Sequence, residues 1–155
     1  MGLQNLLSPE SVILNLKASC KREALALLAD AAAALVDVDA ETVREALSTR
    51  EQLGSTGVGD GVAIPHGKIE GLGKITGIFA RLEEPVDFDA VDDQPVDLVF
   101  LLLAPTDATA AHLKALAKVS RLLRNEDARA ILRGAETTEA LYAAVTTDRT
   151  RSDAA

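Results

Sequence analysis

Apolar positions recur along the chain with two periods. In "SCKREALALLADAAAALV", residues 19 to 36, Leu25, Leu28, Ala32 and Leu35 fall on one helical face, with Ser19 as the candidate N-cap. "DAETVREALSTREQL", residues 39 to 53, predicts a second helix capped by Asp39 and striped by Val43, Ala46 and Leu47. A third stripe, Leu113, Leu116, Val119, Leu122 and Leu123, runs along "TDATAAHLKALAKVSRLLR", with Thr106, Asp107 and Thr109 as candidate caps. "NEDARAILRG" and "TTEALYAAV" predict two shorter helices. Strands are expected at "SVILNL", residues 11 to 16, at "GVAIPH", ending near His66, and at "KITGIFARL", residues 74 to 82. "VDLVFLLLA" is apolar on both faces, as a central strand covered by helices on both sides must be. The acidic stretch "EEPVDFDAVDDQPVD", punctuated by Pro85 and Pro95, reads as loop with at most a short edge strand. Strands interleaved with helices predict an α/β fold: one layered domain over residues 1–155, with a mixed, mostly parallel sheet of about five strands flanked by helices on both faces. The core is expected over about 7–145, with 146–155 as a flexible tail.

Composition narrows the function classes. The chain has 155 residues, enough for a real hydrophobic core, and only 3% aromatics, so aliphatic side chains must fill it. A net charge of −8 argues against unaided binding to nucleic acid or anionic lipid, both of which need a basic patch. Cys20 is the only cysteine, which excludes an internal disulfide and points to a reducing, cytoplasmic setting. The opening "MGLQNLLSPESV" does not read as a signal peptide, and the longest apolar run, bounded by Asp97 and Pro105, is too short to span a bilayer. No direct membrane insertion is expected.

The chemistry concentrates in "GVGDGVAIPHGK", residues 57 to 68. Gly54, Gly57, Gly59 and Gly61 suggest a phosphate cradle, yet neither nucleotide fingerprint fits, and a loop needing positive φ at several points accounts for them equally well. His66 and His112 are the only histidines, each readable as a core or helix-face residue. The context of His66 favours more. Pro65 fixes its own φ and drives Ile64 into an extended conformation, while Gly67 leaves room beside the ring. A histidine held on such stiff backbone is suited to covalent chemistry at a ring nitrogen. Small and apolar neighbours, among them Ile69 and Leu72, are candidates for a docking rim.

"REQLGSTGVGDGVAIPHGKI", residues 50 to 69, closely resembles the active-site segment of enzyme IIA domains of the bacterial phosphotransferase system, of the fructose/mannitol type. "EPVDFDAVDDQPVDLVFLLLAP" and "HLKALAKVSRLLR" resemble further signatures of its nitrogen-regulatory branch, in the right order. The resemblance implies that His66 accepts a phosphoryl group from an upstream histidine phosphocarrier protein and that Arg50 and His112 share its pocket. It implies regulatory targets whose binding depends on phosphorylation; the alternative is a sugar-transport component that passes phosphate to a IIB domain of a permease. It calls for no cofactor and no metal, and for a covalent phosphohistidine rather than turnover of a small molecule. Asp60 departs from the family pattern, which has an uncharged amide there. On chemical grounds, the charge spread over a transferring phosphoryl group needs donors around it. Arg50 offers a planar fork, His112 a second contact, and Ser55 and Thr56 are candidate hydroxyl donors. Lys68 reads as a solvated lysine before a phosphate contact. A metal-dependent hydrolase built on His66, His112 and acids such as Asp60, Asp92 or Asp93 is the competing class, but no close histidine pair or H-E-x-x-H motif supports it.

Overall fold

The computed structural model describes residues 3–147, which build one six-stranded sheet with helices on both faces. Its centre is β6, Val96–Pro105, paired antiparallel with β5, Thr76–Val86. β1, Val12–Leu16, runs parallel to β5 on its outer side. Three short strands continue the sheet beyond β6: β2, Gly57–Gly59; β3, Val62–Ala63; and β4, His66–Ile69. β3 and β4 both lie parallel to β6, and β2 is antiparallel to β3. The sheet is therefore mixed, with three of its five pairings parallel.

The double-sided apolar pattern of β6 has the expected cause. Val99, Leu101 and Leu103 join one core, beneath α1, Lys21–Val36, and α2, Ala40–Gln52. Leu98, Phe100 and Leu102 join the other, beneath α3, Thr109–Arg124, α4, Glu126–Gly134, and α5, Thr138–Thr146. This second core reaches back to Leu3, four residues before the expected start at Leu7. Asp39 caps α2 by accepting from Thr42 N–H at 3.2 Å, as the sequence predicts.

α1 is capped at Cys20, because the backbone N–H and hydroxyl of Ser19 both bond Glu23 instead. α3 is preceded by Ala108 with no side-chain cap, so neither Thr106 nor Asp107 serves, and Thr109 is already helical. Its buried stripe is His112, Ala115, Val119, Leu122 and Leu123, while Leu113 is 62% exposed. The stripe thus starts at the histidine, three residues before Ala115, where periodicity alone selected the neighbouring leucine. The acidic stretch is less loop-like than expected: β5 runs through Pro85 to Val86, across a register shift between Arg81 and Val86 that accommodates the missing N–H. Phe88 in the same stretch is fully buried. Of the expected tail, Thr146 closes α5, and 148–155 lie outside the described residues.

Candidate functional site

His66 begins a strand rather than ending one. Pro65 cannot donate to a ladder, but its carbonyl accepts from Leu102 N–H at 2.9 Å, so the chain passes from β3 to β4 without leaving the edge of β6. His66 is then in register with Leu102, and its half-buried ring stands at the start of β4. Gly67 serves close packing rather than open access. A Cβ there would meet the Ala46 Cβ at 3.2 Å, so the bare backbone lets α2 settle on β4 and brings Arg50, one turn along, to the histidine.

Both ring nitrogens of His66 are engaged. Nδ1 lies 2.9 Å from the Ile64 carbonyl oxygen, and Arg50 Nε lies 3.1 Å from Nε2. A carbonyl only accepts and a guanidinium only donates, so Nδ1 carries the proton and Nε2 the lone pair. Arg50 also donates through Nη1 to the Gly54 carbonyl at 2.9 Å, which orients its fork. His112 comes from the first turn of α3. Its ring is edge-on to that of His66, with centroids 5.6 Å apart. It is 6% exposed, and among the described residues its Nε2 is the one buried side-chain polar atom without a hydrogen-bond partner. Lys68 donates to the Thr109 hydroxyl at 3.1 Å and lines, with Thr49, Arg50, Leu53, His66 and His112, an open cavity of about 450 Å³.

Burial holds His66 below the ordinary histidine pKa. The positive charge of Arg50 adds to that, while the bond to Ile64 and the carboxylate of Glu51 oppose it. Burial likewise lowers His112, helped by the nearby His66 and Lys68. Both shifts favour the neutral imidazole, and a neutral imidazole is the form that has a lone pair to offer.

Arg50, His66 and His112 thus converge, as the sequence leads one to expect. Ser55 and Thr56 do not join them. The Ser55 hydroxyl donates to the Phe88 carbonyl and accepts from Gly57 N–H; the Thr56 hydroxyl donates to Glu51 at 2.7 Å. Lys68 does reach the cavity, which favours the less expected of its two readings. Asp60 lies elsewhere, in the turn between β2 and β3, at φ 59 between two glycines of positive φ. Its carboxylate is 3.9 Å from Arg129 and its carbonyl accepts from Arg133. Ile69 and Leu72 are buried and form no rim; of the exposed large apolar side chains, Leu53 lies on the cavity wall. The Asp92 carboxylate accepts from the Asp60 N–H, and no group of three or more His, Cys, Asp or Glu side chains that could hold a metal ion is found among the described residues. Sequence reasoning also missed Glu51 and Thr49. The Ile64 carbonyl left no trace in residue types, since any residue supplies one.

The chain thus carries a mixed sheet covered on both faces, with one histidine leading the short strand β4 and a second facing it from a helix. The chain belongs to the family described as "Phosphoenolpyruvate-dependent sugar phosphotransferase system, EIIA 2", which it matches over residues 5–147. It is 51% identical over 142 residues to a nitrogen regulatory protein of Bradyrhizobium diazoefficiens, covering 92% of this chain and 93% of that one. It is 40% identical over 147 residues to a nitrogen regulatory protein of Escherichia coli K12, covering 94% and 90%. The crystal structure of nitrogen regulatory protein IIA-Ntr from Neisseria meningitidis superposes with a TM-score of 0.87 at 36% identity, covering 92% of this chain and 97% of that one. No helix among the described residues is long and apolar enough to cross a membrane.

Proposed function

We propose that this protein is a cytoplasmic phosphohistidine relay: His66 Nε2 takes a phosphoryl group from an upstream histidine phosphocarrier protein, and the phosphorylation state sets which regulatory partners it binds. The observation that carries the reading is the bond between His66 Nδ1 and Ile64 O, which leaves the Nε2 lone pair beside an arginine at an open cavity. The lone pair attacks phosphorus in line as the donor nitrogen–phosphorus bond breaks. Nδ1 keeps its proton on the Ile64 carbonyl throughout, so positive charge developing on the ring meets an acceptor. Arg50 moves from Nε2 onto the phosphoryl oxygens, matching their planar geometry. His112 and Lys68 supply two further contacts, and the orphaned His112 Nε2 gains a partner in the phosphorylated state. Ser55 and Thr56 brace the loop rather than hold phosphate.

The regulatory role is supported by the names of the relatives just described. Leu53, 82% exposed, gives the cavity an apolar edge, and a phosphoryl group would put roughly two negative charges beside it. A partner offering an apolar face is then repelled and one offering arginine or lysine attracted, without a large rearrangement. The test is intact-mass measurement after incubation with the upstream carrier system and phosphoenolpyruvate. One added phosphoryl group is expected on the wild type and none on His66→Ala; equal labelling of both overturns the assignment. Calorimetric titration of candidate partners with both forms then reads the switch, and identical affinities would reduce the protein to a plain carrier.

A further inference from the structure

We propose that Glu51 is a positioning residue for His66, holding the loop that presents the Ile64 carbonyl to Nδ1 and the Arg50 guanidinium to Nε2. The inference rests on the reading of His66 as phosphoryl acceptor but is tested apart from it.

The connections form one chain. The side chain of Glu51 is 7% exposed, and Lys21, at the start of α1, sits 2.8 Å from its Oε2. The carboxylate also accepts twice from one residue: Thr56 N–H reaches Oε2 at 2.9 Å and the Thr56 hydroxyl reaches Oε1 at 2.7 Å. Thr56 is thereby fixed at both its backbone and its side chain. Its carbonyl accepts from Ile64 N–H at 3.0 Å, and the carbonyl of that same Ile64 accepts from His66 Nδ1. On the other side Arg50, next in sequence to Glu51, is bonded to the Gly54 carbonyl at the start of the same loop and to Nε2. The buried carboxylate therefore reaches Nδ1 through Thr56 and Ile64, while Arg50, its neighbour on α2, reaches Nε2. Removing the carboxylate leaves two donors of Thr56 without their acceptor, so the loop loses the bonds that fix it. What the loop fixes is the tautomer, which decides which nitrogen is nucleophilic.

Glu51 also acts by charge. The charged and titratable groups around His66 are Glu45, Arg50 and Glu51 from α2, His112 from α3 and Lys68 from its own strand, with Lys21 of α1 behind the Glu51 carboxylate. Of these, Glu51 favours the protonated ring and Arg50 disfavours it.

The measurement is nitrogen NMR of the histidine rings in the full chain without any phosphoryl donor, followed by the rate of phosphoryl acceptance. Wild type is expected to show His66 as the single Nδ1–H tautomer. Glu51→Ala should give a mixture of tautomers and a His66 titration moved to lower pH, with the His112 tautomer unchanged. Glu51→Gln keeps an acceptor oxygen without the charge, so it should restore most of the tautomer but not the titration. Thr56→Val removes the hydroxyl and keeps the charge; it should mix the tautomers and leave the titration near wild type. Acceptance should fall tenfold or more in Glu51→Ala, toward the ~100-fold that an ångström of misplacement costs. An unaltered His66 tautomer in both Glu51→Ala and Thr56→Val overturns the proposal, and if Glu51→Ala does not fold, Thr56→Val decides alone. Absence of phosphorylation on wild-type His66 would overturn the relay reading and leave the tautomer result standing.

Discussion

At the scale of single residues, the site depends on two opposed demands on His66. The ring must be neutral to attack, and it must sit beside cations that will receive the phosphoryl oxygens. Burial meets the first and the Arg50 charge reinforces it, since a cation beside the ring disfavours its protonation. Arg50→Ala is therefore expected to raise the His66 titration toward the ordinary histidine value while slowing acceptance by about 100-fold or more, as loss of one preorganised donor does. A ring titration and a single-turnover phosphorylation assay read the two effects, which run in opposite senses for the nucleophile. A variant that lowered the titration, or accepted phosphate at the wild-type rate, would remove Arg50 from the role assigned to it.

At the scale of elements, function depends on how closely α2 lies on β4. Gly67 sets that distance against Ala46. Gly67→Ala should push the helix off by a few tenths of an ångström and cost about 1–3 kcal/mol, the usual price of overpacking, read from the urea midpoint. Because α2 carries Arg50, the same substitution should also weaken phosphoryl acceptance; unchanged stability and acceptance would mean that the contact yields freely. Between α1 and α2, Lys21→Met leaves the Glu51 carboxylate buried without its cation. A loss of about 3 kcal/mol is expected, the lower end of what breaking a buried pair costs. A loss below about 1 kcal/mol, typical of surface pairs, would contradict the buried reading.

For the whole molecule, the two histidines are expected to make stability depend on pH below about 6.5. Both are held below the ordinary value of about 6.5 by burial, so between the folded-state values and 6.5 the unfolded chain binds more protons than the folded one. Their contribution is fully present above about 6.5 and is lost as pH falls through that window. The urea midpoint should drop as pH falls below about 6.5, and less steeply in His112→Gln. An equal slope in that variant would show that His112 does not take part. The layered α/β fold, the double-sided β6 and the Asp39 cap were all legible in the sequence, because period and capping chemistry act over a few residues. So was the framed His66. The first residue of β4, the buried face of α3 and the Lys21–Glu51–Thr56 brace were not, because each is decided by partners far along the chain: Leu102 for His66, the second core for His112, and Lys21 for a glutamate 30 residues later. Ser55 and Thr56 show the same limit, since hydroxyls in the same motif as His66 were taken by Phe88 and Glu51 in space.

The measurement closest to the central claim is NMR of protein labelled with nitrogen-15 in its histidines, phosphorylated by the upstream carrier system and phosphoenolpyruvate. It identifies the residue and the atom together. The geometry predicts one phosphoryl group, coupled to Nε2 of His66, with Nδ1 still protonated on the Ile64 carbonyl and the His112 resonances shifted by their new neighbour. Coupling to His66 Nδ1, to either nitrogen of His112, or to no histidine at all would contradict it.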